Sequence, residues 1–184
     1  MKKVTFIILS SFFGISCINE NELPIVPKKK YTISIDSVLN QIGTQSVQKD
    51  KNGYYHIKLV PTPKQQVYRI TGKILVDGKE PYPPMMVGWE SNLFWYIKEG
   101  EAVFNIAKSY VNYYTGQFTI VNLPPLVSNK TEIVPTINKT SVSGNGGRIN
   151  TMIAPIGTMI GDTMVVKAYN SEQDIRTFTK IVLE

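Results

Sequence analysis

Proton-transfer chemistry has little to work with in this chain. Its one histidine, His56, stands in Tyr55-His56-Ile57-Lys58, where strand alternation turns it away from Tyr55 and Ile57, toward solvent or a sheet neighbour. A histidine base works with a positioned partner, and the spacing reveals none. The carboxylates are scattered: Glu99 and Glu101 share one polar turn, while Asp36, Asp50, Asp77, Glu90, Asp162 and Asp174 fall in predicted loops. A hydrolase using two of them is one reading, but acids paired in a turn without an aromatic cleft are solvated turn residues. There is no G-x-S-x-G elbow, no zinc-ligand spacing and no EF-hand loop. Gly144-Asn-Gly-Gly147 lacks the Lys and Ser/Thr of a phosphate-binding loop. The chain is therefore expected to be non-catalytic and to need no metal or other cofactor.

Binding chemistry is better represented. Trp89, Phe94, Trp95 and Tyr96 lie close together, and in a strand Trp95 points to the face opposite Phe94 and Tyr96. With one face in the core, the other offers a ring to a sugar or to a protein partner. Trp89, Trp95 and Tyr96 are thus the candidate ligand-binding residues. The alternative is that Trp89 and Trp95 fill a core, as a tryptophan does in immunoglobulin-like domains.

The single cysteine, Cys17, has a different chemistry. Lys2 and Lys3 precede an apolar run from Val4 to Ile15, interrupted by Thr5, Ser10, Ser11 and Gly14. The run is too short for a bilayer-spanning helix, which takes about 20 apolar residues, but has the length of a signal-peptide core, roughly 7 to 15 residues. Gly14-Ile15-Ser16-Cys17 resembles the lipobox of bacterial lipoproteins, with Gly14 where an aliphatic residue is usual. Ile18-Asn19-Glu20-Asn21-Glu22 resembles the surface-export signal of Bacteroidota lipoproteins. The resemblance implies cleavage after Ser16, lipidation of Cys17, and an outer-membrane protein whose first partner is the membrane itself. A diacylglycerol on Cys17 supplies the second acyl chain that stable anchoring needs, each chain contributing about 0.8 kcal/mol per buried CH₂. No thiol is then left for a disulfide or metal site. The alternative is a buried cysteine in an uncleaved segment. Asp36-Ser37-Val38 and Asp162-Thr163-Met164 resemble the O-glycosylation signal of Bacteroidota, which implies Ser37 and Thr163 as modification sites.

Loss of residues 1–16 leaves 168 residues and lowers the formal charge from +6 to +4, because Lys2 and Lys3 leave. That length fits one large domain or two small ones. Lys28, Lys29 and Lys30 sit together in LPIVPKKKY and read as a hydrated spacer. No aromatic residue interleaves with them, so nucleic acid is not an expected partner.

The elements that must position all these residues read as strands, by alternation and turn chemistry. Tyr31–Ile35 alternates and meets Asp36-Ser37, a cap for one helical turn through Val38–Gln41. Asp50-Lys-Asn-Gly53 is a turn before a strand over 54–60. Gln66–Val76 is the clearest strand, with Val67, Ile74 and Val76 inward and Gly72 at a bulge or kink. Asp77-Gly78 is a type I′ hairpin signal. Met85–Ile97 gives two short strands around Glu90-Ser-Asn92, and 102–114 leans to strand over helix because of its β-branched and aromatic content. Further strands follow at 117–123, 131–137, 149–154, 164–169 and 176–183, with a flexible Ser143–Gly147 between them.

This rhythm predicts an all-β, Ig-like β-sandwich. YRITGKILVDGKEP and TGQFTIVNLPP resemble transthyretin-like sandwiches of surface proteins, and GDTMVVKAYNSEQDIRTFTKIVLE resembles the last two strands of an Ig-like domain. The expected organisation is a signal peptide over 1–16, lipidated Cys17 and tether over 17–30, a β-rich unit over 31–125, and Ig-like strands over 126–184 that stand alone or complete one sandwich. The expected function is a lipid-anchored binding or assembly component at the outer membrane, with a protein or glycan partner at the cell surface. A surface glycan-binding lipoprotein of a polysaccharide uptake system is the alternative.

Overall fold

The computed structural model describes residues 27–40, 45–98, 104–121 and 131–184. Cys17, the signal segment, Glu99 and Glu101 lie outside the described residues, as do the side chains of Trp95 and Tyr96. The protein is all-β and sandwich-like, and among the described residues twelve strands form three sheets. Among the described residues the helical pieces are two single 3₁₀ turns, Asn145–Gly147 and Gly157–Met159.

The first sheet holds β1 (Tyr31–Leu39), β3 (Tyr68–Val76) and β10 (Arg148–Ile153), in the order β1-β3-β10. Facing it is β2-β12-β11-β4-β9, built from β2 (Tyr55–Ile57), β4 (Met86–Ser91), β9 (Thr140–Val142), β11 (Thr163–Asn170) and β12 (Ile175–Leu183). All pairings are antiparallel except β2 with β12, which run parallel. Alternate residues of both sheets meet in one core: Ile70, Ile74, Ile149 and Ile153 from the first, Val87, Trp89, Met164, Val166, Ala168, Ile181 and Leu183 from the second. Non-directional burial of this apolar surface, at about 25 cal/mol per Å², is what holds the two sheets face to face.

The third sheet is an insertion. Between β4 and β9 the chain leaves the sandwich to form β5 (Leu93–Lys98), β6 (Phe104–Asn112), β7 (Gln117–Val121) and β8 (Thr131–Pro135), ordered β7-β6-β5-β8. The segment that balances helical and strand signals is therefore strand, β6, and Gly116 at φ +72° lies in the β6–β7 turn rather than capping a helix.

Strands from both sides of residue 125 pair in every sheet: β10 beside β3, β11 beside β4, and β8 beside β5. A boundary at 125/126 therefore does not divide the protein. The four-stranded sheet is inserted between β4 and β9.

Local expectations fared according to how local their causes are. Asp77 (φ +52°) and Gly78 (φ +76°) both take the left-handed conformation of a type I′ turn. The turn closes only the Val76–Lys79 bridge, because Pro81, Pro83 and Pro84 have no N–H with which to extend it. Asp36 does not start a helical turn. It is the extra residue of a bulge, between Ile35 paired with Gly72 and Ser37 paired with Thr71, and β1 continues to Leu39. Gly72 is required there because a Cβ would collide with the Ser34 carbonyl oxygen. In β3 the inward residues are Ile70, Gly72 and Ile74; Val67 precedes the strand, at the wrong parity for this face, and Val76 is only partly buried at its end. Ser143–Gly147, expected to be flexible, is tied down instead: Gly144 N–H donates to Arg148 O (2.8 Å) and Gly146 N–H to Glu80 Oε2 (2.6 Å).

Candidate functional site

β4 and β11 run side by side, with Lys167 opposite Glu90 and Tyr169 opposite Gly88. These residues alternate with the core residues Val87, Trp89, Val166 and Ala168, so they stand on the outer face of the sandwich. An outer face of this kind usually meets water. Here it is covered by the inserted sheet, and Lys167 is left 8% exposed.

The inserted sheet is fastened at its base and at its tip. At the base, Asn92 accepts the Val165 N–H on Oδ1 (2.7 Å) and donates from Nδ2 to Thr163 O (3.1 Å), while its own N–H reaches Val165 O (3.2 Å). Thr136, where the insertion returns, donates its hydroxyl within reach of Leu93 O (2.8 Å) and Ser91 Oγ (3.0 Å). At the tip, Asn112 Oδ1 accepts the Tyr114 and Thr115 amides (3.0 and 3.1 Å) and shapes the β6–β7 turn. Two cations on the sandwich then hold that turn: Lys167 Nζ donates to Gly116 O (2.7 Å) and Arg176 Nη2 to Tyr114 O (2.6 Å). Tyr113 packs edge-on against Phe178, with ring centroids 5.1 Å apart.

Lys167 is the pivot of this arrangement. Its ammonium lies 2.5 Å from Glu90 Oε2, 5.0 Å from the centre of the Phe118 ring and 4.6 Å from that of Tyr169. Desolvation makes such cation–ring contacts stronger than they are on an open surface. Tyr169 lies over Gly88, where any Cβ would strike its ring. Burial raises its phenol pKa above the ordinary value, and the neighbouring Glu90 charge and hydrogen bond raise it further. The phenol is thus a neutral hydroxyl beside that carboxylate.

Between this face and the inserted sheet lies a cleft of ≈ 690 Å³, lined among others by Trp89, Glu90, Phe94, Phe118, Lys139 and Tyr169. Phe94, Phe118 and Tyr169 are half-buried, and Glu90 keeps 37% of its side chain exposed. Among the described residues Glu90 is the one carboxylate of the cleft wall, and it is already engaged by Lys167. The arrangement offers rings, one acceptor and rim donors, which is a set suited to holding a ligand.

The sequence-predicted residues are only partly brought together here. Trp89 reaches the cleft floor but is 1% exposed, and its indole N–H donates to Ser141 Oγ (2.8 Å). It is a core residue, not a stacking platform, because its strand position faces the opposite sheet. Trp95 and Tyr96 occupy register positions in β5 opposite Asn105 and Phe104. Ser37 hydrogen-bonds Thr71 (2.7 Å between hydroxyl oxygens) in a partly buried position, whereas Thr163 is exposed at the start of β11. Phe118, Lys167 and Tyr169 were not singled out from sequence. The available signal was β11 itself: Val165 and Tyr169 put apolar bulk on the face that alternation assigns to solvent, the pattern of a strand covered on both sides.

His56, turned outward as its alternation predicts, is clasped by two carboxylates: Nδ1 lies 2.5 Å from Glu184 Oε1 and Nε2 3.4 Å from Asp50 Oδ2. The Glu184 bond first, then the Asp50 bond, raise its pKa above the ordinary 6.5. Asp50 is shifted down from 3.8, chiefly by the Tyr54 amide it accepts. A raised histidine pKa gives stability that is complete below the unfolded value and is lost as pH rises through the folded one; the lowered Asp50 gives stability lost only as acid protonates it. The thermal midpoint of the wild type should therefore exceed that of His56→Gln most clearly near pH 6, with the gap closing as alkali deprotonates the imidazole. A gap that widens toward alkaline pH would show that the clasp does not depend on the charged ring.

No protein-family model matches the chain, and the comparison with curated proteins likewise finds no match.

Proposed function

We propose that this protein is a lipid-anchored, non-catalytic binding component of the cell envelope, held at the outer membrane through Cys17 and presenting the cleft under the inserted sheet to its ligand. The observation that carries the binding part is that cleft, lined by three half-buried rings, of which Phe118 and Tyr169, together with the partly exposed Glu90 carboxylate, are held in place by the Lys167 contacts. Pre-set side chains lower the ordering cost of binding. The anchoring part rests on Lys2, Lys3, the apolar run and Cys17. The strand order supports an Ig-like reading of the sandwich: β1-β3-β10 facing β4-β11-β12 matches an A-B-E sheet against C-F-G, with Trp89 on the strand equivalent to C.

Labelling of growing cells with radioactive palmitate tests the anchor. Wild-type protein should carry label in the membrane fraction, and Cys17→Ala should carry none. Label persisting in Cys17→Ala, or an unlabelled wild type, overturns the anchored reading.

A further inference from the structure

We infer that the cleft between the β4–β11 face and the inserted sheet is a site for a neutral saccharide, whose pyranose ring lies against Phe94, Phe118 and Tyr169 while its hydroxyls meet Glu90 and the rim residues Lys139 and Thr140. The inference rests on the binding-component reading and gives that cleft its ligand class.

The chemistry of the walls selects among ligands. An aromatic cage with a carboxylate is ordinarily a receptor for a cationic group. In this cleft the cation position is already filled, since Lys167 Nζ sits between the Phe118 and Tyr169 rings with Glu90 at 2.5 Å. Glu90 is thereby charge-balanced, and a second ammonium group would meet Lys167 as a like charge. An extended peptide added as a strand cannot join β4, the strand that carries Glu90, because β4 is bonded to β11 on one side and to β9 on the other, and Trp89 N–H continues that second side to Lys139 O (2.8 Å). What is left for recognition is ring surface together with unused acceptor and donor capacity.

A carboxylate has about four lone-pair sites. Lys167 engages Glu90 from the protein side, and its exposed part can accept further hydroxyl donors. Lys139 and Thr140 stand exposed at the mouth and offer an ammonium and a hydroxyl. A pyranose has the complementary surface: an apolar C–H face for the rings and a rim of hydroxyls that both donate and accept. The ≈ 690 Å³ of the cleft lies within the range of small-ligand sites, about 300–1,000 Å³.

The test uses the full-length protein in detergent, run in native gels containing dextran, starch, xylan or galactomannan. At least one of these should retard it. Phe94→Ala and, separately, Thr140→Tyr should each weaken the retarding interaction about tenfold or more, as expected for losing or blocking an apolar contact worth over 1.4 kcal/mol. Thr140 is exposed, so the second variant crowds the mouth without disturbing the core. Retardation by none of the four polysaccharides overturns the inference, as does binding that survives both variants. Binding confined to acidic polysaccharides and abolished by salt also overturns it, since that would be Lys139 acting as a surface charge. Palmitate labelling without polysaccharide binding defeats this inference and leaves the anchored reading standing; polysaccharide binding without labelling does the reverse.

Discussion

Replacing Trp89 by alanine should lower the unfolding free energy by about 3–5 kcal/mol and the thermal midpoint by roughly 6–20 °C for a chain of this size. Trp89 is 1% exposed and, among the described residues, is the largest fully buried side chain of the core. It packs where residues of both sandwich sheets meet, so its removal leaves a cavity that two hydrogen-bonded sheets cannot collapse around. Its indole N–H is also satisfied, by Ser141 Oγ at 2.8 Å, and Trp89→Phe, which keeps one ring but loses this bond and part of the volume, should destabilise less than Trp89→Ala. Far-UV circular dichroism melting of both variants distinguishes the roles. A Trp89→Ala protein with the wild-type midpoint and lost ligand binding would make Trp89 a surface platform after all.

Asn92→Ala should cost about 2–4 kcal/mol, the sum of one orphaned buried N–H and a lost hydrogen bond at a carbonyl. The side chain is 8% exposed and bonds the β11 backbone with both of its polar ends, at Val165 N–H and Thr163 O. It therefore sits at the point where the chain turns out of the sandwich and fixes the direction in which β5 leaves. Faster hydrogen exchange at the Val165 amide should accompany the loss of stability. Asn92→Asp is the sharper variant, because it keeps the acceptor but sets a carboxylate against the Thr163 carbonyl. If Asn92→Asp matches wild type in stability and in exchange at Val165, the bidentate fastening is not what holds the insertion.

What could be read from the sequence follows from the range over which each cause acts. Asp77-Gly78 and Asp50–Gly53 specify their turns within four residues, and both turns are found. The strands β3, β11 and β12 were legible because alternation is a property of a short window. The bulge at Asp36 was not, since it exists only opposite Gly72, and no local pattern announces which strand will lie alongside. The cleft was hidden for the same reason. Glu90 and Lys167 become neighbours through pairing of strands 77 positions apart, and Phe118 reaches them only when the β6–β7 turn folds back. The tryptophan cluster drew attention to the right segment, yet its most prominent member belongs to the core and its quieter neighbour Phe94 lines the cleft.

Ahead of β1 the chain is hydrogen-bonded to the sandwich at Lys30, whose N–H donates to Asp77 Oδ1 (2.9 Å) and whose carbonyl oxygen accepts the Asp77 N–H (2.8 Å). β1 begins at the next residue and runs antiparallel to β3 across eight paired positions. Tension entering along residues 27–30 in line with β1 meets that ladder lengthwise, so its bonds share the load and must fail together. The join at Asp77 is thus a mechanical coupling, and a pull on the chain ahead of β1 is resisted by a whole strand before it reaches the sheet that carries the cleft.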